Sequence, residues 1–294
     1  MAALIRRTAA ESKGGLGLML GTELTENEFA KFRALIYKLS GIQISESKLV
    51  MVTNRLRRRL RATGIKGFSE YHSFLTSPAG NVEMQPFLNE ITTNETYFYR
   101  DVHHYDWLND AYFPEVLKEA RLGLRPRRLR VWSAASSTGE ELYSILMKFQ
   151  PWKSQFNGWK LDFLGTDLSK AALDAAALGV YDDRAVRNVP LAERSRYFDH
   201  DPKSQRWTVK DEIRNAARWK SHNLLNPINE DSFDCVFIKN VLIYFDTASK
   251  LVATKHLIGS LAKGGSLVIG PTEGIYTMLA PLEKLTAWHY RKPD

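Results

Sequence analysis

The sequence predicts an α/β protein with a parallel sheet, carried behind a small all-helical segment, and three observations make that prediction. From about residue 128, short apolar runs lead through small or acidic residues into helical patterns, the rhythm of a parallel sheet covered by helices. Residues 22–90 show only the period of amphipathic helices. With 294 residues and 44% hydrophobic side chains, the chain can bury one large core and one modest core.

Each element has its own signal. Residues 1–21 carry no periodic pattern and read as a flexible tail. In the helical part, Thr25-x-x-Glu28 is a capping-box pattern, followed by Phe29, Phe32, Leu35, Ile36 and Leu39 at helical spacing and closed by Gly41. A second helix, roughly Glu46 to Ala62, lines Leu49, Val52, Leu56 and Leu60 along one stripe. Its opposite face carries Arg55, Arg58 and Arg61, with Arg57 and Arg59 on the flanks, and no acid interrupts the chain between Ser47 and Ser69. Shorter helical stretches follow near Ser69 to Thr76 and Asn81 to Ile91.

The domain from residue 91 to 294 offers strand candidates at Leu129 to Ala134, Leu161 to Thr166, Phe233 to Ile238 and Ser266 to Ile269, with a closing strand near Ala287 to Arg291. Helices are expected at Gly139 to Phe149, Ser169 to Leu178 and Ala248 to Leu261. Residues from about 190 to 222 lapse into a polar stretch with short alternations such as Arg206-Trp207-Thr208-Val209, which reads as a small inserted β element.

Composition narrows the function classes. No run approaches the eighteen or so apolar residues of a membrane span, and the first residues lack the charge arrangement of a signal peptide. The single Cys235 excludes an intramolecular disulfide, so a cytoplasmic protein is expected. No CxxC or His/Cys cluster is present, and no metal is predicted. The net charge of +8 suits an acidic partner, with nucleic acid, anionic membrane and acidic protein all compatible.

In open α/β sheets ligands bind beyond the carboxyl ends of the strands. The first such turn, Ser133-Ala134-Ala135-Ser136-Ser137-Thr138-Gly139-Glu140-Glu141, has neither a phosphate-binding GxxxxGK[ST] nor a dinucleotide GxGxxG pattern. Two acids at a helix start would repel pyrophosphate. An adenosyl ligand with a cationic amino-acid tail suits the turn, since small side chains allow close approach and Glu140 can meet a positive group. The same acid would also favour the helix N-terminus electrostatically. The second strand ends in Gly165-Thr166-Asp167, where a carboxylate can accept from ribose hydroxyls or cap the next helix.

Four separated segments then resemble one family: Thr92-Thr-Asn94-Glu-Thr96-Tyr-Phe-Tyr-Arg100-Asp, Arg130-Val-Trp-Ser-Ala-Ala, Thr138-Gly-Glu-Glu and Lys239-Asn240-Val-Leu-Ile-Tyr244-Phe-Asp. Together they are similar to the CheR-type chemotaxis receptor methyltransferases, in order and over nearly all the chain from about residue 22. The resemblance implies a Rossmann-like methyltransferase sheet, S-adenosylmethionine as donor with S-adenosylhomocysteine as product, and glutamates on chemoreceptor cytoplasmic helices as acceptors. It also implies that Asn94, Thr96 and Arg100 line the donor pocket, that Glu140 and Asp167 hold the donor's tail and ribose, and that Asn223, Leu224, Lys239 and Asn240 approach the adenine and far wall. Lys239 departs from the arginine usual in the family, placing a point charge where a planar fork stands.

A glutamate carboxylate is already ionised at neutral pH, so methyl transfer to it needs no catalytic base, and the absence of a nucleophile triad agrees. Arg100 and Tyr244 are the expected catalytic residues, orienting a carboxylate by a guanidinium fork and a hydroxyl. Arg55, Arg57, Arg58, Arg59 and Arg61 are the expected docking face for the acidic receptor helices. A nucleic-acid acceptor is disfavoured because no aromatic residues interleave the arginines. A donor-binding sensor without turnover stays open, and a monomer without nucleic-acid or membrane insertion is expected.

Overall fold

The computed structural model describes residues 23–294, so the tail expected at 1–21 lies outside the described residues. Two compact units divide the chain: one comprises Gln43–Ile91 and the described residues up to Leu39, the other Ser40–Ile42 with Thr92–Asp294.

In the smaller unit, α1 (Glu26–Ser40) begins at the expected capping box: the Thr25 amide donates to Glu28 Oε2 at 3.1 Å and the Glu28 amide to Thr25 Oγ1 at 3.3 Å. The predicted second helix is divided, because Glu46–Lys48 forms a 3₁₀ turn before α2 (Leu49–Thr63). Helices α3 (Phe68–Leu75) and α4 (Asn81–Ile91) complete the unit. Its core gathers Phe32, Ile36, Val52, Leu56, Phe68, Tyr71 and Phe87, all buried, which is the apolar stripe read from the sequence plus aromatic contributions from α3 and α4.

The larger unit opens with α5 (Val102–Trp107), which continues through a π-helical turn into α6 (Phe113–Arg121). Then follow β1 (Arg128–Ala134), α7 (Glu140–Phe149), β2 (Lys160–Asp167), α8 (Lys170–Leu178), β3 (Val180–Tyr181), α9 (Leu191–Tyr197), β4 (Phe198–Asp201) and β5 (Arg206–Val209). After them come α10 (Asp211–Arg214), β6 (Ala217–Ser221), β7 (Phe233–Ile238), α11 (Thr247–Ser260), β8 (Leu261–Ile269), β9 (Glu283–Lys284) and β10 (His289–Arg291). The main sheet has seven strands in the order β6-β2-β1-β7-β8-β10-β9. Its first five are parallel, while β10 runs antiparallel to β8 and β9 antiparallel to β10.

Successive residues of β1 and β7 feed opposite faces, as the pleat requires. Val131, Cys235 and Phe237 join a core with Phe113 and Phe149 on one side, and Trp132, Val236 and Ile238 join Leu257 and Leu267 on the other. Because β2 and β7 flank β1, the order of strand addition reverses there, and it is at the carboxyl ends of strands around such a reversal that open α/β sheets bind ligands. No helix among the described residues is long and apolar enough to cross a membrane.

The inserted β element has different bounds from those expected at 190–222. The antiparallel sheet β3-β5-β4 starts earlier, at Val180, and β6 belongs to the main sheet, paired in parallel with β2. Strand β6 reads Ala-Arg-Trp-Lys-Ser and lies at the sheet edge, none of it fully buried, so it lacks the apolar run by which its neighbours are recognised.

Candidate functional site

The turn after β1 is built by backbone conformation. Ala135, Ser137 and Gly139 all have positive φ, at 60°, 51° and 96°. At Gly139 a Cβ would come within 2.8 Å of the Ala176 Cβ and 2.9 Å of the Trp219 ring, so only glycine fits. The folded turn aims the Ser136 amide at the Thr166 carbonyl (2.8 Å) and the Ser137 amide at Asp167 Oδ2 (2.9 Å). Asp167 Oδ1 accepts from the Ser169 amide at 2.8 Å, while the helix cap of α8 is Ser169 itself, whose Oγ accepts from the Ala172 amide at 3.2 Å. Asp167 therefore ties two strand-end turns together and does not cap α8. It is 7% exposed, and burial raises its pKa despite the backbone donors.

Strand β6 brings its own turn to the same place, since the His222 amide donates to the Asp167 carbonyl at 3.0 Å. Asn223 and Leu224 follow directly, with Asn223 Oδ1 accepting from the Leu225 amide at 3.0 Å and Leu224 buried. Glu140, in the first turn of α7, is 3% exposed, and its one side-chain donor is the Thr138 hydroxyl at 2.7 Å. Burial pushes its pKa up to about 7. In this turn Ser137 Oγ is buried without a hydrogen-bond partner, as is Nε2 of His222, whose ring lies against Trp132. Buried polar atoms left without partners at converging strand ends mark a place where a ligand completes the hydrogen bonding.

The segment carrying Asn94, Thr96 and Arg100 is held by three ties within this unit. The Phe98 amide donates to the Ala185 carbonyl (3.0 Å), the Tyr99 amide to Ser144 Oγ (3.1 Å), and Lys239 Nζ to the Arg100 carbonyl (2.7 Å). Tyr99 and Asp101 sit at positive φ, 55° and 60°, and the ties hold this costly backbone in place. Asn94, Thr96 and Arg100 are half-buried. The Arg100 guanidinium lies 5.6 Å from the Tyr97 ring centroid and, among the described residues, pairs with no carboxylate.

Lys239, which the resemblance places near the donor, has its ammonium among oxygens of the fold. Its side chain is 2% exposed, and the ammonium also faces Asp101 Oδ2 at 3.4 Å and Glu141 Oε2 at 3.6 Å. A compact ammonium directed at three oxygens of the fold anchors the Arg100 segment. Asn240, at φ 59°, and Leu242 both donate their amides to the carboxylate of Glu273, the latter at 2.8 Å. Tyr244, in the 3₁₀ turn Leu242–Tyr244, is 39% exposed.

Sequence reading missed Glu141 and Glu273. Glu141 is not distinguished from Glu140 by sequence pattern, yet its carboxylate accepts from Ser133 Oγ at 2.8 Å behind the turn. Glu273 is wholly buried in the Gly270-Pro-Thr-Glu-Gly274 turn after β8, and that position, an acid just past a strand end, was the available signal.

The five arginines of α2 are not one free face. Arg59 makes a two-pronged contact with Glu83 at 2.7 and 2.9 Å, and Glu83 also accepts from the Tyr71 hydroxyl at 2.7 Å. Arg55 donates to the carbonyl of Ile91, Arg58 pairs with Glu90, and Arg57 is only half-exposed. Arg58 and Arg61 are the two whose side chains stand exposed.

Residues 94–290 match the model of the CheR methyltransferase SAM-binding domain, and residues 27–92 match that of the CheR methyltransferase all-alpha domain. A probable chemotaxis protein methyltransferase of Rhizobium etli is 35% identical, covering 82% of this chain and 90% of the relative. The chemotaxis protein methyltransferase of Borreliella burgdorferi is 31% identical over 87% of this chain and 91% of its own length. That of Escherichia coli is 34% identical, with 85% of each chain covered.

Proposed function

The chain belongs to the CheR methyltransferase family, whose catalytic domain binds S-adenosylmethionine, and on that premise we propose that it esterifies glutamate side chains on the cytoplasmic helices of chemoreceptors. The observation that carries this reading is the convergence at the ends of β1, β2 and β6, where the carboxylates of Glu140 and Asp167 are buried beside the turn after β1 and Ser137 Oγ in that turn is buried without a hydrogen-bond partner. The donor set fits the cofactor: Glu140 suits its cationic amino-acid tail, and Asp167 retains lone pairs for ribose hydroxyls. Asn94 and Thr96 add polar groups, and Asn223, Leu224 and Asn240 supply the wall toward the adenine.

When bound, S-adenosylmethionine supplies a methyl group activated by its sulfonium. What this chain must do is hold the acceptor carboxylate in line and strip part of its water, with no proton to remove. Arg100 can orient a carboxylate through its fork, and the exposed Tyr244 hydroxyl can donate to one. The Lys239 and Glu141 pair positions Arg100 through the backbone. The enzyme is proposed to work as a cytoplasmic monomer, with Arg58 and Arg61 drawing acidic receptor helices to α2.

Incubation with radiolabelled donor and a receptor cytoplasmic fragment tests this directly. Label released by mild base is expected, as for a carboxyl ester; label that resists base would overturn glutamate as the acceptor.

A further inference from the structure

A second arginine stands beside Arg100. The loop between β3 and α9 places the Arg187 guanidinium 3.8 Å from the centroid of the Tyr97 ring, the same ring that Arg100 approaches at 5.6 Å. The loop is firmly seated: Ala185, Val186 and Val189 are buried, the Ala185 carbonyl accepts from the Phe98 amide at 3.0 Å, and the Arg187 carbonyl accepts from Arg194 at 3.2 Å. Arg187 is thus presented from a fixed backbone to the segment that carries Arg100.

The charges around it leave it free for a ligand. Arg184 pairs with Glu95 at 3.1 Å. Asp182 accepts from the Ala185 amide at 3.0 Å, and Asp183 accepts from Trp207 Nε1 at 2.6 Å. Arg187 itself donates only to the Arg184 carbonyl, at 2.9 Å, and has no carboxylate partner among the described residues. Stacking on an aromatic ring uses the flat face of a guanidinium and leaves its N–H edge outward, the orientation in which arginine binds carboxylates with two parallel bonds.

Resting on the carboxylate-acceptor reading above, we propose that Arg187, stacked on Tyr97, recognises a second carboxylate of the acceptor helix while the acceptor glutamate lies at Arg100. Acids three or four residues apart on a helix face the same way, about 5–6 Å between their Cβ atoms. The two guanidinium carbons can be no further apart than their two distances to the shared ring laid end to end, a span that such a pair of glutamates reaches. Arg187 would then select acceptor glutamates that have an acidic neighbour one turn away, and Tyr97 would be the platform that fixes its fork.

The test uses the full chain, radiolabelled donor, and a receptor cytoplasmic fragment with and without glutamine in place of the acids one turn from the acceptor. Arg187→Ala should raise the acceptor KM about five- to tenfold with kcat, donor affinity and the melting transition near wild type, and Arg187→Lys should recover part of the loss. In wild type the glutamine fragment should show the same rise in KM; in Arg187→Ala it should add nothing. Unchanged KM in Arg187→Ala, or a parallel loss of donor affinity, overturns the assignment. If wild type gives no base-labile label, the carboxylate reading falls and the assignment with it; if wild type esterifies normally while Arg187→Ala matches it, the assignment alone falls.

Discussion

The arginines of α2 and the acids at the strand ends of the larger unit are both conspicuous in sequence, and the structure treats them in opposite ways. On α2 the partly buried Arg59 is matched by Glu83 and Tyr71, and Arg55 is engaged by the end of α4. At the strand ends, Glu140 is more deeply buried than any of these arginines, yet it has one hydroxyl donor and a pKa raised to about 7. A charge whose partners come from its own fold is part of the architecture. A buried carboxyl short of partners is a candidate for contact with a ligand.

The contrast can be broken most forcefully at Arg59. Replacing it with alanine leaves Glu83 buried and unpaired, which should cost about 3 kcal/mol of stability in the helical unit, read as a shift in its unfolding transition. Donor affinity should not change. Arg59 acting as a receptor-docking residue would instead show an altered receptor KM with an unshifted transition.

A smaller effect sharpens the other side of the comparison. Glu140 has its folded pKa raised above the ordinary carboxylate value, so the native state holds its proton more tightly between about pH 4.5 and pH 7 and loses stability as pH rises through that window. A cationic ligand favours the ionised form, which reverses the direction for binding. Affinity for S-adenosylhomocysteine should therefore rise about tenfold from pH 6 to pH 8, with proton release on binding below pH 7. Calorimetry in buffers of different ionisation enthalpy measures both, and Glu140→Gln should flatten the profile.

The smallest effect is expected at the exposed arginines. Arg58→Glu with Arg61→Glu should raise the receptor KM about threefold at low salt, with the difference fading at high salt. Equal rates at both salt concentrations would leave the two residues without a docking role. Arg55 is excluded from this pair because it is only partly exposed, whereas Arg58, although paired with Glu90, stands exposed.

Much of the fold was legible because its signals are local. The capping box at Thr25 and Glu28 and the fully buried run of β7 both appear where pattern and chemistry place them. Strand β6 was not legible, because an edge strand with half-exposed polar residues carries no apolar run. In the site, the roles expected of Asp167 and Glu140 rest on residues whose burial the sequence could suggest, and the structure supplies the crevice around them. The direction of Lys239 was not legible, since whether an ammonium faces a ligand or the Arg100 carbonyl depends on contacts 139 residues apart in sequence. Partner accounting is a property of the folded chain, and for that reason the arginine run looked like one surface when it is several.

Titration of S-adenosylhomocysteine into Asp167→Ala and Arg59→Ala, each beside wild type and each paired with a melting curve, separates a ligand-binding acid from an architectural cation. Asp167→Ala is expected to lose about 2 kcal/mol of donor-site affinity through its ribose contact, and Arg59→Ala to keep full affinity while its helical unit melts early. Undiminished affinity in Asp167→Ala, or a loss in Arg59→Ala as large as that expected for Asp167, would contradict this separation.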